Sequence, residues 1–165
     1  MTSLHATCVV LGGAGVLIRG ESGAGKSVLA LQLIDRARED GAAAALVGDD
    51  RIRLEAVAGR LVARGHPAVA GLIEMRGIGL CRIASADSAP VRLVVDLVPT
   101  APRMPEPADA YAVFCGIAIP RLAIERGLRD AGLAPLAVRS ALSSAHGVAS
   151  QSHSPGLGAV VDHGP

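Results

Sequence analysis

Aromatic residues are almost absent from this chain of 165 residues, which has no tryptophan and only Tyr111 and Phe114. Proteins that bind RNA or single-stranded DNA stack bases on aromatic side chains, so this scarcity argues against such a function. The net charge of +1 gives no electrostatic indication of a nucleic acid or a membrane surface as a partner. Half of the residues are hydrophobic, so we expect one domain with a core of Ala, Val, Leu and Ile.

The cysteines also lack the spacing that zinc sites and redox motifs need, since Cys8, Cys81 and Cys115 lie far apart. An odd number of distant thiols argues against a disulfide framework and favours three small buried side chains in a reducing compartment. The sequence has no signal-peptide pattern and no uninterrupted apolar run of about 20 residues, the length that a membrane-spanning helix needs. We therefore expect a cytoplasmic protein.

What the sequence does contain is a phosphate-binding loop, because GESGAGKS at residues 20–27 matches the pattern G-x-x-x-x-G-K-[ST]. The apolar run at 16–19 precedes this loop, and a helical pattern over residues 27–40 follows it and ends at Gly41. Backbone N–H groups of such a loop face phosphate oxygens, while the lysine reaches the β- and γ-phosphates and the serine hydroxyl binds Mg²⁺. We therefore predict binding of ATP and Mg²⁺. The predicted nucleotide-binding residues are Gly20, Glu21, Ser22, Gly23, Ala24, Gly25, Lys26 and Ser27.

The pattern along the rest of the chain predicts a mixed α/β organisation. Strands are expected at 6–11, 16–19, 43–48, 91–98 and within 110–120, the first two as a hairpin, with a second hairpin at 51–65. The strand at 43–48 is expected to form a parallel β-α-β crossover with the strand before the loop. Residues 66–83 predict a loop with one short element, 99–107 a proline-rich connector, and 121–133 an amphipathic helix. Ser, His, Gly and Pro dominate from residue 140, so we predict a domain at 1–139 and a disordered tail at 140–165.

Two adjacent carboxylates, Asp49 and Asp50, follow the strand after the loop helix. An open α/β sheet binds its ligands at the carboxyl ends of its strands, so these residues are candidates for contact with the phosphates. Neighbouring side chains on a strand point to opposite faces. We therefore expect at most one of the two to take part directly.

Four segments, in order, resemble the catalytic domain of the HPr kinase/phosphorylase family, whose members phosphorylate a serine of HPr, a phosphocarrier of the sugar phosphotransferase system. They are SLHATCVVLGGAGVLIR, the loop GESGAGKS that follows it directly, LVGDDRI and GLIEMRGIGL. The last segment is the most specific, because it is not part of the general nucleotide loop. The resemblance covers about residues 3–105. It implies a single P-loop kinase domain with a mixed central sheet and flanking helices, of the HPr kinase/phosphoenolpyruvate carboxykinase type, in the short form without an N-terminal domain.

The same resemblance implies roles for single residues. Lys26 matches a phosphate ligand, and Ser27 and Glu74 match Mg²⁺ ligands. Asp50 matches the residue that accepts a proton in phosphorylation and donates one in the reverse reaction. His5 matches a catalytic-site histidine. An aspartate near a serine hydroxyl is chemically suited to this role, because it can accept the proton as the bond to phosphorus forms.

The family's catalytic arginine has two candidates here, Arg103 in PRMPE and Arg121 in CGIAIPRLAIE, and Arg103 is the better match. Arg76 has two open interpretations, a site residue or a structural ion-pair partner. The chain has no R-P-G-R-like stretch of the kind that serves dephosphorylation in the long family form, so the resemblance supports the kinase activity more than the phosphorylase activity. It also implies a homo-oligomer, with a hexamer as the family's usual state.

The leading hypothesis is therefore a Mg²⁺- and ATP-dependent protein serine kinase that acts on HPr or a related phosphocarrier and regulates carbon or nitrogen metabolism. A small-molecule P-loop kinase is the first alternative, but such enzymes need an arginine-rich lid over the nucleotide, which the sequence does not show. A nucleotide sensor without catalysis is the second alternative. The presence of His5, Asp50 and Glu74 argues against it.

Overall fold

The computed structural model of the protein describes residues 1–104 and 106–151, with side chains as far as Ala145. The strands are β1 (Thr2–Leu4), β2 (Thr7–Leu11), β3 (Ala14–Gly20), β4 (Ala44–Gly48), β5 (Ile52–Val57), β6 (Arg60–Arg64), β7 (Leu72–Met75), β8 (Gly79–Arg82), β9 (Ser88–Leu97), β10 (Tyr111–Phe114) and β11 (Ile117–Ile124). The helices are α1 (Lys26–Glu39), α2 (Arg126–Asp130) and α3 (Ala134–Gln151), and short 3₁₀ turns occur at Pro67–Val69 and Pro107–Ala110.

One mixed sheet organises the domain, in the strand order β1-β5-β6-β9-β3-β2-β4. The long strand β9 pairs with β6 through its first residues and with β11, in parallel, through its last four residues, and β10 extends the sheet beyond β11. At the centre, β3 and β9 run parallel to each other, so their carboxyl ends meet at the same edge of the sheet. The mixed central sheet with flanking helices is therefore confirmed.

Strand β3 carries the apolar run Val16, Leu17 and Ile18, which is buried on both faces of the sheet. Val16 and Ile18 pack in a cluster with residues of α1 and α3, whereas Leu17 packs on the opposite face with residues of β5 and β6. Because consecutive side chains of a strand alternate between faces, a continuous apolar run fits a strand that is covered on both sides. This burial holds the start of the phosphate loop in place at the sheet edge.

The predicted crossover at 43–48 needs a correction in its pairing. Strand β4 forms and is antiparallel to β2, which is itself antiparallel to β3, so β3 and β4 have the same direction but β2 lies between them. The β2–β3 hairpin is confirmed, and it occupies the position beside β3 that a direct β-α-β unit would give to β4. The hairpin of β5 and β6 is also confirmed.

The amphipathic helix predicted at 121–133 is wrong over its first part. Residues Arg121 to Ile124 continue β11 and pair with Val94 to Leu97 of β9, and only Arg126–Asp130 is helical. Arg121-Leu-Ala-Ile satisfies a helical apolar spacing, but a backbone edge of β9 is available to it, so sheet pairing decides the conformation.

Two further segments differ from the sequence-based expectation. The predicted loop at 66–83 contains a two-stranded sheet, β7 with β8, in addition to its 3₁₀ turn. The predicted tail at 140–165 begins inside α3, which extends to Gln151, because Val138 and Leu142 bury an apolar stripe against the sheet. The remainder of that predicted tail, 152–165, lies outside the described residues, and the domain boundary stays a prediction.

The cysteines occupy three different environments rather than three buried ones. Cys8 is buried, Cys81 is half-buried and Cys115 is exposed. Burial raises the pKa of the Cys8 thiol to about 12, so this side chain stays uncharged as part of the core. Within residues 1–104 and 106–151, no helix has the length and apolar character needed to cross a membrane.

Candidate active site

The phosphate-binding loop connects β3 to α1 at the edge where β3 and β9 end. Gly23 and Gly25 have φ angles of 81° and 93°, in the left-handed region that favours glycine, and Gly25 caps the N-terminus of α1. The loop curls around Lys26, whose side chain is only 6% exposed. The Lys26 Nζ donates to the carbonyl oxygens of Gly20 at 3.0 Å and Glu21 at 3.1 Å, so the ammonium group is held inside the curve of the loop.

Next to Lys26, the hydroxyl of Ser27 is linked to an acidic residue of the following strand connection. Ser27 Oγ donates to Asp49 Oδ2 at 3.1 Å, and Thr7 Oγ1 donates to Asp49 Oδ1 at 2.5 Å. Thr7 is fully buried on β2, which separates β3 from β4. Asp49 therefore connects the start of the loop helix to strand β2. Sequence reasoning did not assign a site role to Thr7, and nothing in its local pattern points to one.

Asp50 faces the same cleft as Asp49, although neighbouring side chains of a strand point to opposite faces. Strand β4 ends at Gly48, and Asp50 adopts a φ of 62°, so the alternation of side chains along a strand no longer applies. The Asp50 carboxylate is 70% exposed and lies 3.7 Å from Nδ1 of His5, which also contacts the Asp50 carbonyl oxygen at 3.1 Å. The other ring nitrogen of His5 lies 3.2 Å from Lys26 Nζ, so His5 bridges the loop lysine and Asp50.

The hairpin of β7 and β8 brings Glu74 and Arg76 to this group. Both line a cleft of about 330 Å³ together with His5, the phosphate loop and the two aspartates. Arg76 is close to the loop itself, because a Cβ built on Gly23 would lie 3.4 Å from Arg76 Nη2. His5, Lys26, Ser27, Asp50 and Glu74, all predicted from the sequence, are thus brought together.

A second cavity of about 380 Å³ adjoins this cleft on the side of the aspartates. Asp49, Asp50 and Glu74 line both spaces, and Val69, Leu72 and Leu80 add apolar surface to the second one. The Asp50 carboxylate therefore lies at the border between the phosphate loop and an open, partly apolar cavity. Asp50 can therefore be reached from both spaces.

Neither predicted catalytic arginine lies in this cleft. Arg103 is exposed in a bend after β9 and is not among the described residues that line the cleft. Arg121 Nε donates to Asp96 Oδ2 at 2.5 Å, and Arg19 Nε donates to the other oxygen, Oδ1, at 2.6 Å. Arg76 is the arginine that lines this cleft, and its position in the IEMRG stretch was the available signal.

Asp96 is buried between its two arginines, on β9 one strand away from the loop. Burial by itself raises the pKa of this carboxyl, but the hydrogen bonds and charges of Arg19 and Arg121 outweigh it and leave the pKa below 3.8. Asp96 is therefore ionised and engaged, and this charge cluster supports the sheet rather than contributing a free acid to the cleft.

The oxygen atoms near Ser27 suit a hard cation. Ser27, Asp49 and Glu74 all line the cleft and offer hydroxyl and carboxylate oxygens, which are the ligand types of Mg²⁺. Among the described residues, no three His, Cys, Asp or Glu side chains form a ready metal-binding group. Mg²⁺ in nucleotide sites is usually held by one or two protein ligands, and phosphates and water complete its coordination.

Comparison with known proteins identifies a family and a structural neighbour. A family model described as HPr Serine kinase C-terminal domain matches residues 1–149. The HPr(Ser) kinase/phosphatase from Coxiella burnetii has a similar solved structure, with a TM-score of 0.75 and 29% sequence identity, over 93% of this chain and 98% of that chain.

Curated relatives give the same result at the level of sequence. HPr kinase/phosphorylase of Mycoplasma mycoides is 41% identical over 101 residues, which are 57% of this chain and 30% of the relative. HPr kinase/phosphorylase of Streptococcus pneumoniae is 36% identical over 137 residues, which are 74% of this chain and 42% of the relative. The alignments thus span less than half the length of these curated relatives.

Proposed function

This chain belongs to the HPr serine kinase C-terminal domain family, and on that premise we propose that it is a Mg²⁺-dependent protein serine kinase. The proposed reaction transfers the γ-phosphate of ATP to a serine of HPr or of a related phosphocarrier protein. The names of the curated relatives and of the structural neighbour support this substrate class. The alternatives, a small-molecule kinase and a nucleotide sensor, have no comparable support.

The observation that carries the proposal is the position of Asp50 relative to the phosphate loop. Asp50 lies between a cleft that contains Lys26 and Ser27 and a cavity that is open to an acceptor. Phosphoryl transfer needs a phosphate cradle on one side and a proton acceptor on the other, with the attacking and leaving oxygens nearly in line. A nucleotide sensor has no need of a carboxylate at this border.

In the proposed reaction, Asp50 accepts the proton of the serine hydroxyl while the serine oxygen bonds to the γ-phosphorus and the bond from that phosphorus to ADP breaks. Lys26 stabilises negative charge on the phosphate oxygens, and Arg76, which lines the same cleft, assists it. His5 contacts both Asp50 and Lys26 and orients them. The same carboxyl would donate the proton in the reverse reaction, which we propose only as a secondary activity.

The chemistry of the cleft also defines how a metal ion would be held. Ser27 and Glu74 are the proposed Mg²⁺ ligands, and Asp49 orients the Ser27 hydroxyl through its hydrogen bond. When bound, Mg²⁺ neutralises charge on the phosphates of ATP. Arg103 stays a candidate for transition-state contact only if the connector that carries it moves towards the cleft.

Beyond the reaction, we propose a cytoplasmic homo-oligomer, for which a hexamer is the family expectation. We also propose a role in the regulation of carbon or nitrogen metabolism. Both proposals rest on the family resemblance.

The test is transfer of label from γ-labelled ATP, with Mg²⁺, to purified HPr by the wild type and by Asp50→Asn. We expect labelled serine on HPr, and a rate at least about 100-fold lower for the variant, because a positioned base contributes about that much. Asp35→Asn, on the exposed face of α1, is the matched control and should retain the wild-type rate. ATP binding without any label on HPr would contradict the protein kinase proposal and direct the search to metabolite acceptors.

A further inference from the structure

A third cavity lies on the other side of the phosphate loop, away from Asp50. Its volume is about 420 Å³, and it is an open cavity bordered by the loop, the first two turns of α1, α2 and the start of α3. Gly23, Gly25 and Val28 line both this cavity and the cleft of Lys26, so the two spaces meet at the phosphate loop. Its size lies within the range of pockets that hold small organic ligands, about 300 to 1,000 Å³.

The position of this cavity is fixed by contacts of α2 with the carboxyl edge of the sheet. Arg129 Nη1 donates to the carbonyl oxygens of Ile124 at 2.6 Å and Val98 at 2.9 Å, which ties α2 to the ends of β11 and β9. Ala134 and Leu29, both buried, form part of its wall. The side of the cavity formed by α2 is therefore held in a fixed position by contacts within the folded domain.

Three polar side chains border the cavity and are free to bind a ligand. Within the described part of the chain, Gln32, Arg126 and Asp130 have no side-chain hydrogen bond or ion pair. They supply an amide, a guanidinium and a carboxylate. Val28, which is 54% exposed, adds an apolar surface next to them. This is a mixed apolar and polar lining with unused donors and acceptors.

The geometry of phosphoryl transfer decides what this cavity holds. In an in-line displacement, the attacking and leaving oxygens lie on opposite sides of the transferred group. Asp50 and its adjoining cavity mark the side of the attacking hydroxyl. The leaving nucleotide must therefore extend from the loop in the opposite direction, which is towards α1 and α2.

We propose that the cavity between α1 and α2 binds the nucleoside part of the triphosphate, an inference that rests on the proposed kinase function. The Arg126 guanidinium stacks on the base, since arginine packs well on flat aromatic faces, and Val28 supplies apolar contact. The Gln32 amide hydrogen-bonds to the edge of the base, and the Asp130 carboxylate accepts hydrogen bonds from the ribose hydroxyls. No aromatic residue is needed, in agreement with a chain that has almost none.

The test compares two ligands on the full chain, ATP and inorganic tripolyphosphate, each with Mg²⁺ and measured by titration calorimetry. Tripolyphosphate has the phosphates but lacks the nucleoside. Gln32→Trp places a large side chain in the cavity, so we expect the Kd for ATP to rise at least about tenfold and the Kd for tripolyphosphate to change less than about twofold. Arg36→Trp, one turn further along α1 and outside the cavity lining, is the matched control and should bind both ligands as the wild type does.

Arg126→Ala is a second variant that removes bulk instead of adding it. We expect a rise of about fivefold in the Kd for ATP from the lost stacking, with tripolyphosphate again little changed. Melting followed by circular dichroism checks that both variants are folded.

The possible results separate the two proposals. Wild-type affinity for ATP in folded Gln32→Trp and Arg126→Ala would overturn the nucleoside site and leave the kinase proposal standing. Equal losses for ATP and tripolyphosphate would also overturn it, because the effect would then lie in the phosphate loop. A wild type that binds neither ligand would overturn the kinase proposal itself, and the nucleoside site with it.

Discussion

Asp49 and Asp50 are neighbours in sequence, but their surroundings assign them different tasks. Asp49 accepts hydrogen bonds from Ser27 and Thr7 with both of its oxygens, so its carboxylate is committed to the fold and to the side of the loop that we propose binds Mg²⁺. Asp50 has an exposed carboxylate and a φ of 62°, a conformation that costs a non-glycine residue about 1 kcal/mol or more. The contact from His5 to the Asp50 carbonyl oxygen helps to maintain it.

The residue-scale prediction concerns Asp49→Asn. The asparagine keeps one carbonyl oxygen as an acceptor for the hydroxyl groups, so the domain should fold, but the negative charge behind Ser27 is lost. Residues that orient a metal ligand typically contribute about 10- to 100-fold in metal affinity. We expect the Mg²⁺ concentration that half-saturates phosphoryl transfer to rise by at least about tenfold. A Mg²⁺ titration of activity measures this, with Asp35→Asn as the control, and an unchanged Mg²⁺ requirement would contradict it.

At this scale, the residues that sequence could identify are those inside contiguous motifs. Lys26, Ser27 and Glu74 lie in short patterns whose spacing is local, and the structure places them in one cleft. The link from Thr7 to Asp49 depends on how β2 pairs with β4, including a register shift between Cys8 and Val9, which no local pattern encodes. Arg103 lies in a connector without regular secondary structure. The order of the motifs along the chain therefore did not predict whether Arg103 lies near the phosphate loop.

At the scale of elements, β11 shows where periodicity misleads. The segment after Pro120 has helical apolar spacing, but the parallel edge of β9 satisfies its backbone groups, and Arg121 gains an ion pair with Asp96. Local apolar runs flanked by turns were sufficient for β2, β3, β5 and β6, because each hairpin pairs with its sequence neighbour. Strand β11 pairs with β9, which lies more than 20 residues earlier in the chain, and this long-range contact has no local signal.

The element-scale prediction uses Gly65, which follows β6 and touches the end of β4. A Cβ at this position would lie 2.0 Å from the carbonyl oxygen of Val47, so Gly65→Ala forces the backbones of the two elements apart. We expect a loss of about 2–3 kcal/mol in the free energy of unfolding, measured with urea, in line with other overpacked sites. Since Asp49 directly follows β4, phosphoryl transfer should fall as well.

Gly127→Ala in α2 is the matched control for this substitution. A Cβ there meets only the end of the Glu125 side chain, at 3.6 Å, and alanine favours helix. The free energy of unfolding should be unchanged or higher by up to about 1 kcal/mol. Equal destabilisation by both substitutions would show that close backbone contact is not what position 65 requires.

At the scale of the whole molecule, one buried carboxylate joins three strands that are remote in sequence. Asp96 on β9 binds Arg19 on β3 and Arg121 on β11, and Arg19 also lies 5.2 Å from the centroid of the Phe114 ring on β10. These strands form the edge that carries the phosphate loop, so the charge cluster and the site share one framework. A fold built mainly from aliphatic side chains thus has a polar connection at its centre.

The last prediction follows from the pKa of Asp96, which lies below 3.8 in the folded protein. At neutral pH the carboxylate is ionised in both states, and its pairing stabilises the folded state. As the pH falls through 3.8, the unfolded chain binds the proton first, so this stability is lost progressively down to the folded pKa. Asp96→Asn removes the contribution at every pH. Arg19 then loses its carboxylate partner, whereas Arg121 keeps its ion pair with Asp109 at 3.6 Å. We expect it to cost about 2–4 kcal/mol at pH 7, near the lower end for broken buried pairs because both arginines retain some solvent contact.

Urea unfolding of the wild type and Asp96→Asn between pH 7 and pH 3 tests this prediction. The difference between the two free energies of unfolding should shrink as the pH falls below 4, since a protonated Asp96 resembles asparagine. Asp35→Asn, on the exposed face of α1, should follow the wild-type curve throughout. If the difference in the free energy of unfolding stays constant down to pH 3, Asp96 acts through its shape and hydrogen bonds rather than through its charge. The connection between β3, β9 and β11 would then be insensitive to acid.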